Sequence, residues 1–155
     1  MEKDVKSLIF ELYGNVFLLG RRLEYIVDKE LAKDNLTTKQ FLMIAVIEKM
    51  FEDSPSIKEV ADALGSTHQN IKQMANQLER RGFLRIERDG RDRRVLRLKV
   101  TEKNREYWDS RAAEHEGFIL EIFSGLDEDG IRSLHTQTMR LLGSVDGLYQ
   151  RAKGM

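Results

Sequence analysis

The chain has no cysteine among its 155 residues. That excludes a disulfide framework, a thiolate metal site and a cysteine redox switch. Proline occurs once, at Pro55, so every other turn must be made by other residues. No apolar run approaches the length of a bilayer span, and the N-terminus MEKDVKSLIF lacks the shape of a signal peptide. A cytoplasmic protein without a membrane partner is expected. There is no phosphate-cradling glycine-rich loop; GFL, SGL and DEDG are isolated turns. No nucleophile–base pair is suggested either, since Ser66-Thr67-His68 is placed as a helix cap, so no enzyme is expected. The histidines His68, His115 and His135 are widely spaced, without an H-x-x-x-H pair. No metal and no cofactor is expected from them.

Net charge is also lacking, with 26 basic and 26 acidic residues. Its distribution is uneven. Residues 66–103 hold eleven Lys/Arg against five Asp/Glu, so this segment is +6 and the remainder −6. One part of the surface is therefore built to meet a polyanion.

What is present is mostly helical periodicity. Leu12, Val16, Leu19, Leu23 and Ile26 recur at steps of four and three near the start. Ile131, Leu134, Thr138, Leu141, Val145 and Leu148 do so near the end. Each marks a long amphipathic helix whose stripe needs covering, within one chain or between two. A further helix is expected over about 101–123, with Trp108, Ala112, His115, Ile119 and Ile122 on one face. SGLDEDG breaks it, and Asp127 caps the last helix.

The middle is punctuated more tightly. Thr37 with Gln40, Ser56 with Glu59, and Ser66 with Gln69 each match the capping-box spacing. They predict helices over Thr38 to about Phe51, over SIKEVADALG, and from Thr67 to Arg81, the last stopped at Gly82. RIERDGRDRRVLRL then alternates, turns at Asp-Gly and alternates back, as a β-hairpin does. Leu84 and Ile86, with Leu96, Leu98 and Val100, face inward. Two helices joined by a short glycine-containing turn make a helix-turn-helix, and the hairpin makes it winged. The expected fold is mainly α with a small β-hairpin wing (α+β). It comprises an N-terminal dimerisation helix (1–35), a winged helix-turn-helix (36–100) and C-terminal helices completing the dimerisation region (101–155).

The third helix of the middle region buries Ile71, Ala75 and Leu78. Its other side offers Ser66, Thr67, His68, Gln69, Asn70, Lys72, Gln73 and Asn76, a face rich in amides and poor in carboxylates. Amides bond adenine edges, and a helix N-terminus offers N–H groups to phosphate. At the hairpin, Arg88, Arg91, Arg93 and Arg94 have the reach and charge to enter a minor groove. Asp92 is placed to orient one of them. Cross-strand pairing of Glu87 with Arg97 would neutralise part of the hairpin.

LTTKQF, followed by SIKEVADALGSTHQNIKQMANQLERRGFLRIERDGRDRRVLRLKVTEKN, resembles the MarR family of winged-helix transcription regulators. The resemblance is carried by the wing signature, here Asp89, Asp92, Arg93 and Arg94 with Thr101 opening the next helix. Leu78, Glu79 and Gly82 carry it at the end of the recognition helix. Val100-Thr101 stands where Leu-Thr is usual, and Asn104 where Gly is common. The resemblance implies a homodimer on a pseudo-palindromic double-stranded DNA operator, with Leu12, Val16, Leu19, Leu134, Leu141, Val145 and Leu148 at the dimerisation surface. It also implies repression relieved by a small aromatic effector in a crevice between arm and winged domain. By position, Tyr13, Phe17, Arg21, Met43, Trp108, Arg111 and His115 are the candidates there. The alternatives are a regulator without a ligand and a winged-helix module that docks another protein; the latter would present apolar anchors rather than amides.

Overall fold

The computed structural model describes residues 4–153. In order these form α1 (Val5–Leu31), a 3₁₀ turn (Ala32–Asp34), α2 (Thr38–Met50), α3 (Ile57–Ala63), α4 (His68–Arg80), β1 (Leu84–Arg88), β2 (Leu96–Val100), α5 (Glu102–Ser110), α6 (Ala112–Ile122) and α7 (Glu128–Lys153). They divide into two compact units, one ending at Glu106 and the other beginning at Tyr107. The winged helix-turn-helix lies in the first.

Its core is contiguous in chemistry. Met43, Ile44 and Ile47 of α2, Ile57, Val60 and Ala61 of α3, Ile71, Ala75 and Leu78 of α4, and Phe83, Leu84, Leu98 and Val100 around the hairpin are all buried. Burial of each large side chain contributes about 1.5–3 kcal/mol. The positions follow the 3.6-residue period in the helices and the two-residue period in the strands, as the sequence requires.

Helix ends are set by local chemistry. Thr37 and Ser56 make full capping boxes with Gln40 and Glu59. The cap of α4 is displaced by one residue from the expected Ser66–Gln69 pair: the Thr67 hydroxyl accepts from the Asn70 N–H at 3.2 Å. Ser66 is instead taken up by the preceding stop, donating its N–H to Ala61 O at 2.9 Å. Three helical segments close in this way, through a left-handed residue at Asn35, Gly65 or Gly82. At the end of α4, Gly82 N–H bonds Glu79 O (2.8 Å) and Phe83 N–H bonds Leu78 O (2.9 Å), the paired bonds of a Schellman stop.

The strands pair antiparallel, Leu84 with Val100, Ile86 with Leu98 and Arg88 with Leu96, so the apolar set shares a face as expected. The tight Asp-Gly turn does not form. The strands stop at Arg88 and Leu96, leaving a seven-residue loop, 89–95. Gly90 does not take the left-handed backbone that such a turn needs. A carboxylate organises the loop instead: Asp89 Oδ1 accepts the N–H groups of Arg91 (2.8 Å) and Asp92 (2.9 Å).

The helix expected over 101–123 is two helices, α5 and α6, parted at Arg111. The Ser110 hydroxyl donates back to Tyr107 O at 2.7 Å, and Arg111 N–H turns to Trp108 O. Such back-bonding bends helices. At the last break Asp127 caps α7 as expected, accepting from Gly130 N–H at 2.8 Å.

Neither α6 nor α7 has a buried residue, and on α1 only Leu31 is buried. Leu12, Val16 and Leu19 on α1 remain about half exposed or more, as do Leu134, Leu141, Val145 and Leu148 on α7 (45–61%). The stripes read from the sequence exist, and a single chain leaves them open.

Candidate nucleic-acid interface

The outward side of α4 is fixed by what it buries. With Ile71, Ala75 and Leu78 turned to the core, the helical period puts Gln69, Gln73, Asn76 and Arg80 on one opposite ridge. All four are exposed, as are Thr67, His68, Asn70 and Lys72. Ser66 is half-buried in the turn. One flank of the helix faces the hairpin, where Glu79 accepts the Ile86 N–H at 2.7 Å. The other flank is held by α2: Gln40 Nε2 donates to Gln77 Oε1 at 2.8 Å. Below the ridge, Arg81 donates both guanidinium arms to the carbonyls of Asp34 and Asn35. The helix is thus fastened on both flanks and at its end, while its amide ridge is left to solvent.

Arg80 extends that ridge by one turn and was not among the expected contacts. Its Nε bonds Asn76 O at 3.2 Å. The period alone predicts it, four residues beyond Asn76.

At the hairpin the arginines sort into different groups. Arg94 is folded onto Asp92 through two bonds of 3.1 Å, so Asp92 does orient one arginine. These bonds, from the Arg94 side chain and N–H, hold the Asp92 carboxyl below the usual aspartate range. Arg88 reaches Arg93 O at 2.8 Å. Arg91 and Arg93 are exposed, and among the described residues no acidic partner is bound to either guanidinium. Glu87 lies opposite Arg97 in the register, yet it pairs along its own strand with Arg85 at 3.5 Å. Arg97 turns instead to Asp89 (2.8 Å) and Glu59 (3.1 Å). Two tip guanidiniums therefore stay available beside the amide ridge.

The residues expected at an effector crevice belong to both units. Met43 is fully buried in the winged-helix core. Tyr13 and Phe17 meet edge-on at 5.2 Å on the open face of α1, and exposed Arg21 pairs with Glu24 at 3.1 Å. In the second unit, Trp108 stacks at a tilt on His115 at 5.2 Å, and Arg111 bonds the Tyr107 hydroxyl at 3.2 Å. A cavity of about 860 Å³ lies between α1, α2 and α4. Leu23, Val27, Leu42, Thr38, Gln73 and Met74 are among its walls, and none of the seven expected residues is.

A winged helix-turn-helix with a basic wing, flanked in the sequence by long helices, defines the class: a winged-helix module. Residues 34–95 match the model of the MarR family. The transcriptional repressor MprA of Escherichia coli K12 is 27% identical over 123 residues, 79% of this chain and 70% of MprA. Among solved structures, a MarR protein from Peptoclostridium difficile superposes with a TM-score of 0.80 at 17% identity, covering 98% of both chains. The Staphylococcus aureus MepR–DNA complex superposes with 0.69 at 16% identity, covering 92% of this chain and 99% of that one. Over residues 34–95 the chain is thus similar to the MarR family of winged-helix transcription regulators, and its fold is theirs.

Proposed function

We propose that the chain is a homodimeric, sequence-specific repressor that binds a pseudo-palindromic duplex operator and is released by a small molecule. One observation carries the DNA reading: the amide ridge Gln69–Gln73–Asn76 is held open beside a wing that presents Arg91 and Arg93 without acidic partners. Amides read base edges in the major groove, and guanidiniums suit the narrow, electronegative minor groove beside it. His68, at the first turn of α4, Lys72 on its side and Arg80 at the far end of the ridge serve the backbone phosphates. The half-exposed stripes of α1 and α7 support a second copy as their cover, since contiguous apolar stripes in water mark association surfaces. A two-fold dimer expects half-sites about one helical turn apart, ~10 bp. MprA bears the description of repressor, and that supports repression here.

The cavity between α1, α2 and α4 supports effector release. Gln73 both lines it and stands on the outward ridge. A ligand seated there engages a base-reading side chain, so the two occupants compete. The walls mix apolar Leu23, Val27 and Leu42 with hydroxyls and amides, which suits a small, mostly apolar molecule with a polar edge. Tyr13, Phe17, Arg21, Trp108, Arg111 and His115 are not among its walls and have no part in this reading.

The test is selection of bound duplexes from a random pool, with affinity then followed against salt and mass by sedimentation. An inverted repeat bound by two copies supports the reading. Binding that is weak, sequence-blind and steeply salt-dependent overturns the base-reading role of α4. A monomer on the selected site overturns the dimer.

A further inference from the structure

We propose that Arg97 is the positioning residue of the wing. Its guanidinium clamps Asp89 and Glu59 together, giving the tip loop its shape and fixing the hairpin to the first helix of the helix-turn-helix. Its consequence for DNA rests on the reading above; the clamp itself does not.

Three distances make the case. Arg97 Nε donates to Asp89 Oδ2 at 2.8 Å, Nη1 donates to Glu59 Oε2 at 3.1 Å, and Nη1 also reaches Ser54 O at 3.4 Å. Both carboxylates have a second duty. Asp89 Oδ1 accepts the N–H groups of Arg91 and Asp92. Glu59 Oε2 accepts the Ser56 N–H at 2.7 Å, closing the capping box of α3. One guanidinium thus joins the carboxylate that shapes the tip to the carboxylate that starts α3. The backbone agrees with this seam: Ser56 bridges Arg97, and Leu98 N–H bonds Pro55 O at 2.8 Å. Residues 54–56 thereby extend the edge of β2.

Only a forked, delocalised cation suits the place. A lysine ammonium is a point charge and cannot present two fixed donors to carboxylates on either side. Arg94 differs in kind: its partner Asp92 lies in the same loop and its side chain is 92% exposed, so its loss leaves the hairpin anchored. Arg97 is only 35% exposed and Asp89 19%. The titration behaviour is consistent. Asp89 is held well below the usual carboxylate range, first by the Asp92 N–H and then by Arg97, and Arg97 is raised in turn, chiefly by Asp89.

The experiment uses the full chain with Arg97→Lys, and Glu59→Gln as a milder second variant that breaks one arm. Amide exchange read by NMR tests the clamp without DNA. Arg91 and Asp92 N–H should exchange about tenfold faster in Arg97→Lys while α2 and α4 are unchanged; unchanged tip amides overturn the proposal. Affinity for a selected duplex should fall about tenfold in Arg97→Lys, with a shallower salt slope. In an Arg91→Ala/Arg93→Ala background, Arg97→Lys should add less than about twofold, because it acts through those side chains. The same tenfold loss in both backgrounds overturns positioning in favour of direct contact. If Arg91→Ala/Arg93→Ala binds DNA like the parent, the wing reading fails, and the amide result still decides the clamp.

Discussion

Gln40 offers a sharp test of how the recognition helix is held. It is only 6% exposed, and both ends of its amide are used. Oε1 accepts the Thr37 N–H at 3.2 Å and Nε2 donates to Gln77 at 2.8 Å. Gln40→Met keeps the length of the side chain and removes both bonds. A neutral hydrogen bond is worth about 1 kcal/mol net. Thr37 is exposed, so its N–H recovers water and its loss falls at the low end. Gln77 is half-buried and recovers less. The expected cost is about 1–2 kcal/mol, which for a chain of this size lowers Tm by about 2–8 °C. Urea and thermal unfolding measure it directly. A double-mutant cycle with Gln77→Ala isolates the bridge, with an expected coupling of about 0.5–1.5 kcal/mol. Gln69→Ala, on the open ridge, should stay within about 0.5 kcal/mol of the parent. Additivity of Gln40→Met and Gln77→Ala would refute the bridge, and so would a Gln40→Met protein as stable as the parent.

Gly82 adopts φ +78°, and a Cβ there would meet Lys103 Cδ at 3.2 Å. Gly82→Ala should therefore lose about 1–2 kcal/mol or more in urea unfolding; no loss would contradict the left-handed stop. Arg91→Ala/Arg93→Ala should reduce the salt slope of duplex binding by about 0.9 per lost phosphate contact, and Arg94→Ala, whose guanidinium is held by Asp92, by clearly less. Equal effects would erase the distinction between free and folded-back arginines. Asp89 has a depressed folded pKa, set by the Asp92 N–H, Arg97 and the Arg91 N–H. Its contribution is thus present above the ordinary aspartate pKa of about 3.9 and persists until pH falls through the lower folded value. Tip-amide protection should survive acidification below about pH 3.9, and be lost at higher pH in Arg97→Lys; identical acid profiles would be the contrary result. Asn104 is fully buried, and neither side-chain amide atom has a hydrogen-bond partner among the described residues. Asn104→Ala should therefore stay within about 1 kcal/mol of the parent, whereas Leu78→Ala, equally buried, should lose about 2–5 kcal/mol. Equal losses for the two would show that the amide is satisfied.

Much of the architecture was legible because it rests on short-range rules. Apolar periods, two capping boxes and the Gly82 stop each depend on residues within one or two helical turns, and they place α2, α3, α4 and the strands correctly. Failures came where two local rules competed for the same residues. Ser66 and Thr67 both suit an N-cap, and the stop of α3 needs Ser66 N–H for Ala61 O, so the cap moves to Thr67. Asp-Gly favours a tight hairpin turn, but Asp89 gains more partners by accepting from Arg91 and Asp92 and from Arg97, and the loop opens to suit it. The break at Arg111 is accompanied by a hydroxyl turned back onto its own helix, in a stretch whose apolar period runs through without a gap.

The wing shows why charge counting along the chain misleads about a surface. Five carboxylates among eleven cations look like partial neutralisation of the hairpin, with Glu87 against Arg97 as the obvious pair. The fold spends them differently. Glu87 takes Arg85, Asp92 takes Arg94, Glu79 holds a backbone N–H, and Asp89 is drawn to the base of the hairpin by Arg97. Acidic groups are thereby engaged by other partners, and the guanidiniums of Arg91 and Arg93 remain at the tip. That sorting needs Glu59, 38 residues before Arg97 in the chain, because a cation answered by two carboxylates at the root leaves none of its charge to compete with Arg91 and Arg93 for the same phosphates. A wing with the same net charge but with Glu87 paired to Arg97 would leave Asp89 Oδ2 free to pair with a tip guanidinium. The positive potential at its end would then be weaker with no change in composition.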